Sequence, residues 1–214
     1  MAEITLHTIT LDPGEEEIAR LAALIDGGER QRAGQFRFER DRRRFIVRRA
    51  RLREILGERI GAPPARLRFE AGSHGKPRLP GHPCHFSASH SGERMLVAVG
   101  SQEVGCDIER IVPDLDWQPI AGRFFTPIEQ QALLSAPNGL RSFFRCWTRK
   151  EAFVKALGLG LSYPLDSFDV TIGEDARILR GGHGLALFGG WIADGYAFAV
   201  ACASNVAITR GTGW

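Results

Sequence analysis

Arg44-Phe45-Ile46-Val47-Arg48-Arg49, running on to Leu56-Gly57, lies over Arg145-Cys146-Trp147-Thr148-Arg149-Lys150, running on to Leu157-Gly158, at an offset of 101 residues. A second pair falls in almost the same register: the apolar stretch 95–109 resembles 196–209. Self-similarity at a fixed period means repeated structure. The expectation is an α/β (α+β) chain of two pseudo-symmetric halves of about 100 residues each, a size typical of a small domain. They would cover residues 1–110 and 111–214, with a seam near 110–117 and an active site at their interface, where ligands commonly bind.

Hydrophobic periodicity fills in both halves. Ile4 to Ile9 reads as a first strand. Asp12-Pro13 reads as a helix start, with Asp12 as N-cap, Pro13 at the first helical position and Glu15, Glu16 and Glu17 in the first turn. Gly27-Gly28 would end that helix. A long helix is expected over 40–60, with Phe45, Leu52, Ile55, Leu56 and Ile60 inward, arginines outward and Pro63-Pro64 as its stop. A short strand follows at 67–70, then a Gly/Pro loop over 72–83. Residues 95–99 and 104–109, joined by Ser101-Gln102, read as a hairpin. Helices are expected near 117–123, 127–135 and 140–157, the last ended by Gly158. Strands are expected at 167–172 and 185–188, with a final pair at 196–201 and 205–209.

The chain of 214 residues is 43% apolar with a net charge of +3, so it has ample material for a core and only a mild bias toward anionic partners. Between Arg30 and Arg53 stand eleven arginines against Glu39 and Asp41. Such a run is either a solvated helix face or a polyanion site. Cys84, Cys106, Cys146 and Cys202 form no C-x-x-C pair and sit among apolar residues, as buried thiols in a reducing compartment do. No apolar run is long enough to span a membrane. The start, Met1-Ala2-Glu3-Ile4, lacks a secretory pattern. A cytoplasmic protein without a membrane partner is expected.

The chemistry gathers in two blocks. In Gly105-Cys106-Asp107-Ile108-Glu109 the two acids are two apart, so on a strand both carboxylates point to one face. In Trp147-Thr148-Arg149-Lys150-Glu151-Ala152-Phe153-Val154-Lys155, Glu151 and Lys155 are one helical turn apart. Alone, the acids read as a strand end and the Glu–Lys pair as a surface ion pair. Together, three hard oxygen ligands beside an ammonium suit Mg²⁺, with Mn²⁺ as the alternative, holding a phosphate ester. His90, between Ser89 and Ser91, reads as a turn histidine or a phosphate ligand; Lys76 in Gly75-Lys76-Pro77 reads as a turn lysine or a phosphate contact. His82, Cys84, His85 and His90 match no zinc spacing. No Walker loop, dinucleotide fingerprint or Gly-x-Ser-x-Gly elbow is present.

These blocks resemble the Sfp-type 4′-phosphopantetheinyl transferases. That family carries a (V/I)-G-(V/I)-D-(I/V)-E block, here Val104 to Glu109, and W-(S/T/C)-x-K-E-(A/S)-x-x-K, here Trp147 to Lys155. Upstream, Phe38 to Phe45 with Leu52-Arg53, then Gly75-Lys76-Pro77, then Phe86-Ser87-Ala88-Ser89-His90-Ser91 match as well, as do Arg123-Phe124-Phe125 and Glu129. Departures are Cys106 for the usual Val or Ile, Phe45 where some relatives have a hydroxyl, and an acid, Glu29, near a basic position of some members. The family's two similar α/β halves agree with the repeat.

The resemblance implies an enzyme that moves the 4′-phosphopantetheine arm from coenzyme A to a serine of an apo acyl or peptidyl carrier protein, releasing 3′,5′-ADP. It implies Asp107, Glu109 and Glu151 as metal ligands, and Glu151, Lys155 and His90 as catalytic. It further implies Arg44, Lys76, Ser89, His90 and Lys155 as contacts of coenzyme A. A monomer is expected, since one chain brings both halves. Two rivals use other chemistry: a phosphodiesterase with the same carboxylates and water as nucleophile, and a nucleic-acid-binding module built on the arginine run.

Overall fold

The computed structural model describes residues 2–72, 74–192 and 195–214; Met1 and Ser73, the latter within the expected 72–83 loop, lie outside them. The chain runs β1 (Glu3–Thr10), α1 (Glu15–Ala22), α2 (Gly27–Ala33), α3 (Glu39–Ile60), β2 (Glu70–Ala71), β3 (Pro77–Arg78), β4 (His85–Ser91), β5 (Arg94–Gly100) and β6 (Val104–Arg110). It continues α4 (Gln118–Phe124), α5 (Pro127–Leu134), α6 (Gly139–Leu157), β7 (Asp169–Val170), β8 (Ile178–Arg180), β9 (Leu185–Ile192), β10 (Tyr196–Ala203) and β11 (Ala207–Arg210).

Two main sheets form, in the orders β11-β1-β5-β4 and β6-β10-β9. The repeat is visible in them: β1-β5-β4 and β6-β10-β9 are the same antiparallel arrangement made twice. Each long helix lies on its own sheet, and each ends on a glycine in the left-handed region, Gly61 at φ 68 and Gly158 at φ 70. Strand alternation sorts the core into three layers. Met95, Val97 and Val99 of β5 face α3, whereas Leu96 and Ala98 face the other sheet. Ala197, Ala199 and Ala201 of β10 face α6, whereas Phe198, Val200 and Cys202 face the first sheet. Sheet packs on sheet, and one long helix covers each outer face.

Several sequence expectations are corrected by this topology. The stretch 95–109 is not a hairpin: β5 pairs with β1 and β4, and β6 pairs with β10. The hairpin is β4–β5, and the turn at 101–103 passes the chain from one sheet to the other. The stretch 196–209 behaves alike, β11 leaving β10 to pair in parallel with β1. Asp107 and Glu109 therefore sit on the second sheet, beside α6. By strand pairing, the halves part at the 101–103 turn. Asp12 caps nothing; its carboxylate accepts from Arg44 Nε at 2.7 Å, and Gly14 holds the N-cap of α1. Gly27-Gly28 begins α2 rather than ending α1, because Asp26 and Glu29 make a reciprocal capping box there.

The arginines of α3 are not all outward. Arg53 is fully buried, donating to Glu29 at 2.8 Å, to Asp26 at 2.6 Å and to the Leu67 carbonyl at 2.9 Å. Most of the others meet acids: Arg42 meets Glu39, Arg43 meets Glu39 and Glu15, Arg49 meets Glu29, and Arg51 meets Glu17 and Glu54. The run is largely neutralised within the fold. All four cysteines are free and buried, as expected. No helix among the described residues is long and apolar enough to cross a membrane.

Gly105 sets the depth of α6. A Cβ there would stand 2.0 Å from the Ala152 carbonyl oxygen and 2.2 Å from the Ala156 nitrogen, so glycine and two alanines let strand and helix backbones touch. Gly105→Ala is expected to push α6 off β6 and to destabilise the fold by about 1–3 kcal/mol, as overpacking does. Denaturant unfolding checks it; a variant as stable as the parent would show that the contact yields freely.

Candidate active site

Alternation on β6 places Val104, Cys106 and Ile108 in the layer between the sheets and turns Gly105, Asp107 and Glu109 toward α6. The expectation of both carboxylates on one face holds. Helix α6 starts where the Asn138 side chain accepts from the Arg141 N–H at 3.0 Å and runs past β6 to Gly158. Its motif alternates inward and siteward. Lys150 is fully buried and ion-paired with Glu129 at 2.8 Å, while Glu151 and Lys155 remain partly open. Trp147 packs with Phe124, Phe125 and Phe143 at centroid distances of 5.8, 6.2 and 6.0 Å, anchoring the helix as its size predicts.

The centre of the site is a three-way junction. Lys155 Nζ donates to Asp107 Oδ1 at 2.6 Å and to Ser89 Oγ at 3.1 Å, and Ser89 Oγ donates to the same Asp107 oxygen at 2.6 Å. Ser91 Oγ donates to Glu109 Oε2 at 2.7 Å. Strand β4 of the first sheet, β6 of the second and α6 thus meet at Asp107.

The electrostatics are those of crowded carboxylates. Burial lifts Glu109 to about 7, with Asp107 and Glu151 adding to the rise and the Ser91 hydroxyl and Lys155 opposing it. Glu151 is likewise raised, first by burial and then by Asp107. For Lys155, burial works against the charge, but the Asp107 carboxylate outweighs it and the ammonium is held more firmly than usual.

The three-carboxylate metal cage is not formed as such. No three His, Cys, Asp or Glu side chains among the described residues stand close enough to hold an ion. Asp107 is turned to Lys155 and Ser89, and Glu109 to Ser91. The donor set nevertheless fits a hard divalent cation: three carboxylates face one ammonium, and Asp107 Oδ2 is buried without a hydrogen-bond partner.

His90 faces the opposite side of β4 from Ser89 and Ser91. Its Nε2 meets Arg48 Nη1 of α3. Loss of surrounding water, then Arg48, then Lys155, push His90 down to about 4. Arg48 was not singled out by the sequence reading; the clue was its place one turn after Arg44. Arg44 itself is committed to Asp12 and to the Gly92 carbonyl at 3.0 Å. Lys76 Nζ donates to Glu103 at 2.6 Å and to the Val104 carbonyl at 2.9 Å, on the wall of a cavity of about 250 Å³ shared with His82, His85 and Gly158.

The lowered His90 value fixes a sign. Unfolded, the imidazole takes a proton near 6.5; folded, it resists until about 4, so stability present above 6.5 is lost as pH falls from 6.5 toward 4. In an NMR titration His90 is expected to stay neutral at pH 6, and Arg48→Ala to move its midpoint up. An unshifted midpoint in that variant would remove Arg48 as a cause.

The sequence matches a model of the 4′-phosphopantetheinyl transferase superfamily over residues 103–201 and one of the N-terminal part of 4′-phosphopantetheinyl transferases over residues 10–102. These two spans meet at the turn where the sheets part. The chain is 39% identical over 177 residues to the 4′-phosphopantetheinyl transferase HetI of Nostoc sp., covering 79% of this chain and 74% of that protein. It is 36% identical over 167 residues to the transferase ffp of Bacillus subtilis, with 77% and 74% covered. To Sfp of Bacillus subtilis (strain 168) it is 33% identical over 168 residues, again with 77% and 74% covered. With two matching family models dividing the chain where its sheets divide, and relatives aligned over three quarters of its length, this chain belongs to the 4′-phosphopantetheinyl transferase superfamily.

Proposed function

We propose that this enzyme transfers the 4′-phosphopantetheine arm from coenzyme A to a serine hydroxyl of an apo acyl or peptidyl carrier protein. The observation that carries the reading is the Lys155–Asp107–Ser89 junction, with Glu109 and Glu151 beside it and the Arg48–His90 pair on the next face of β4. The serine oxygen forms a bond to the phosphorus that bears the arm. The pyrophosphate bridge breaks, and 3′,5′-ADP leaves with the bridging electron pair. Glu151, its basicity raised by burial and by Asp107, accepts the serine proton. The firmly charged Lys155 faces the negative charge that develops on phosphate oxygens.

Asp107, Glu109 and Glu151 are the residues that would hold Mg²⁺. When bound, the ion supplies charge neutralisation on the pyrophosphate. Arg48 and Lys76 are the cations for the remaining phosphate charge, and the neutral His90 imidazole beside Arg48 can donate a hydrogen bond to it. Arg44 keeps a supporting role through Asp12.

A groove of about 440 Å³ runs from Glu109 and Ser91 past Arg110 to Val112, Leu115, Ile120 and Trp147. Its apolar floor, with Arg110 at the rim, suits the apolar face of the helix that carries the modified serine. Both sides of the site come from one chain, which favours a monomer, and four buried free thiols favour the cytoplasm.

Intact-mass spectrometry of an apo carrier mixed with the enzyme, coenzyme A and Mg²⁺ tests the reading. The expected result is a gain of one arm on the serine, abolished by EDTA. No gain on fatty-acid, polyketide or peptidyl carriers would overturn it; a gain that survives EDTA would overturn the metal role alone.

A further inference from the structure

We propose that Ser91 is a positioning residue for Glu109, setting the orientation of that carboxylate for the divalent cation; the inference rests on the metal role of Glu109 argued above. On one edge β6 is hydrogen-bonded to β10. Its other edge faces β4, and there serine hydroxyls take the place of a backbone ladder. Ser87 Oγ accepts from the Cys106 N–H at 3.0 Å, and Ser91 Oγ accepts from the Arg110 N–H at 3.1 Å. Ser87, Ser89 and Ser91 are two apart on one strand, so all three hydroxyls face β6.

The three do different work. Ser87 is opposite Cys106, whose side chain belongs to the layer between the sheets. Ser89 serves Asp107 and Lys155. Ser91 is held by a main-chain donor and has a single proton to give. With the Arg110 N–H on its lone pair, that proton is directed at Glu109 Oε2, 2.7 Å away. One oxygen of Glu109 is thereby fixed through the hydroxyl to the backbone of its own strand and to the opposite sheet, and the other is left for a ligand. Groups that hold a metal ligand from behind are worth about 10- to 100-fold in metal affinity.

The test is Mn²⁺ binding, read from the loss of the free-ion EPR signal with and without coenzyme A, alongside kcat and KM for arm transfer. Ser91→Ala is expected to weaken Mn²⁺ binding by about 10- to 100-fold. Its kcat should be largely recovered at saturating metal, with the KM for coenzyme A little changed. Ser91→Thr, which keeps the hydroxyl, is expected to bind within a few-fold of the parent. Ser87→Ala loses the equivalent backbone contact and serves as the control for β4–β6 spacing; its Mn²⁺ affinity is expected to be unchanged. Parent-like Mn²⁺ binding by Ser91→Ala, or equal weakening in Ser87→Ala, would overturn the proposal. Failure of the underlying reading looks different: the unsubstituted enzyme would then load no carrier, whatever the serine variants do to Mn²⁺.

Discussion

Glu151→Ala is expected to lower the rate of arm transfer by about 10²- to 10⁴-fold, the range that a positioned general base contributes. The fold should survive, because Glu151 is partly open and is not among the partners of the buried Lys150–Glu129 pair beside it. Lys155→Ala, which strips the ammonium from Asp107 and Ser89, is expected to cost about 10²- to 10³-fold by loss of electrostatic stabilisation. The two losses should not add, since both side chains act on the same phosphoryl group and each alters the charge felt by the other. Time courses of holo-carrier formation by intact mass, with circular dichroism to confirm folding, give the numbers. A fully active Glu151→Ala enzyme would remove Glu151 from proton transfer and leave Asp107 and Glu109 as the remaining carboxylates of the site.

The elements that hold these residues were legible in the sequence where a period was at stake. A two-residue spacing put Asp107 and Glu109 on one face, and a four-residue spacing put Lys155 above Glu151. The offset repeat announced two matching sheets. What escaped was pairing between distant segments. Val104, Cys106 and Ile108 look like the second arm of a hairpin because a short turn precedes them, yet their apolar face is claimed by the layer between the sheets and by Phe198 and Val200 of β10. No local signal distinguishes these outcomes, since both need the same alternation. Charged residues misled in the same way. Asp12, read locally as a helix cap, Arg53, read as an outward arginine, and Lys150 each prove to be paired with a group 21 or more positions away. Arg48 was hidden among eleven arginines, its place one turn after Arg44 being a weak clue that the tertiary placement of His90 makes specific.

Lys150 makes the consequence of that last kind of pairing measurable. Its ammonium is fully buried and donates to Glu129 at 2.8 Å, to the Leu165 carbonyl at 2.7 Å and to the Phe168 carbonyl at 2.8 Å. Glu129 in turn accepts from the Thr126 N–H at 2.9 Å and the Val170 N–H at 2.8 Å. One ion pair therefore ties α6, the start of α5 and β7 together, one residue before Glu151. Removing a single partner leaves an uncompensated charge in the core, so Glu129→Gln and Lys150→Met are each expected to destabilise by roughly 3–5 kcal/mol. For a chain of this size that is a fall in Tm of roughly 6–20 °C. Combining Lys150→Met with Glu129→Gln removes both charges and leaves an amide oxygen to accept from β7 or α5. The double variant is expected to be more stable than the sum of the single losses allows, because the two effects share one interaction. Activity should follow stability in all three variants, since α6 carries Glu151 and Lys155 to β6. Losses below about 1 kcal/mol in both single variants would mean that the aromatic packing around Trp147 holds the helix without the pair.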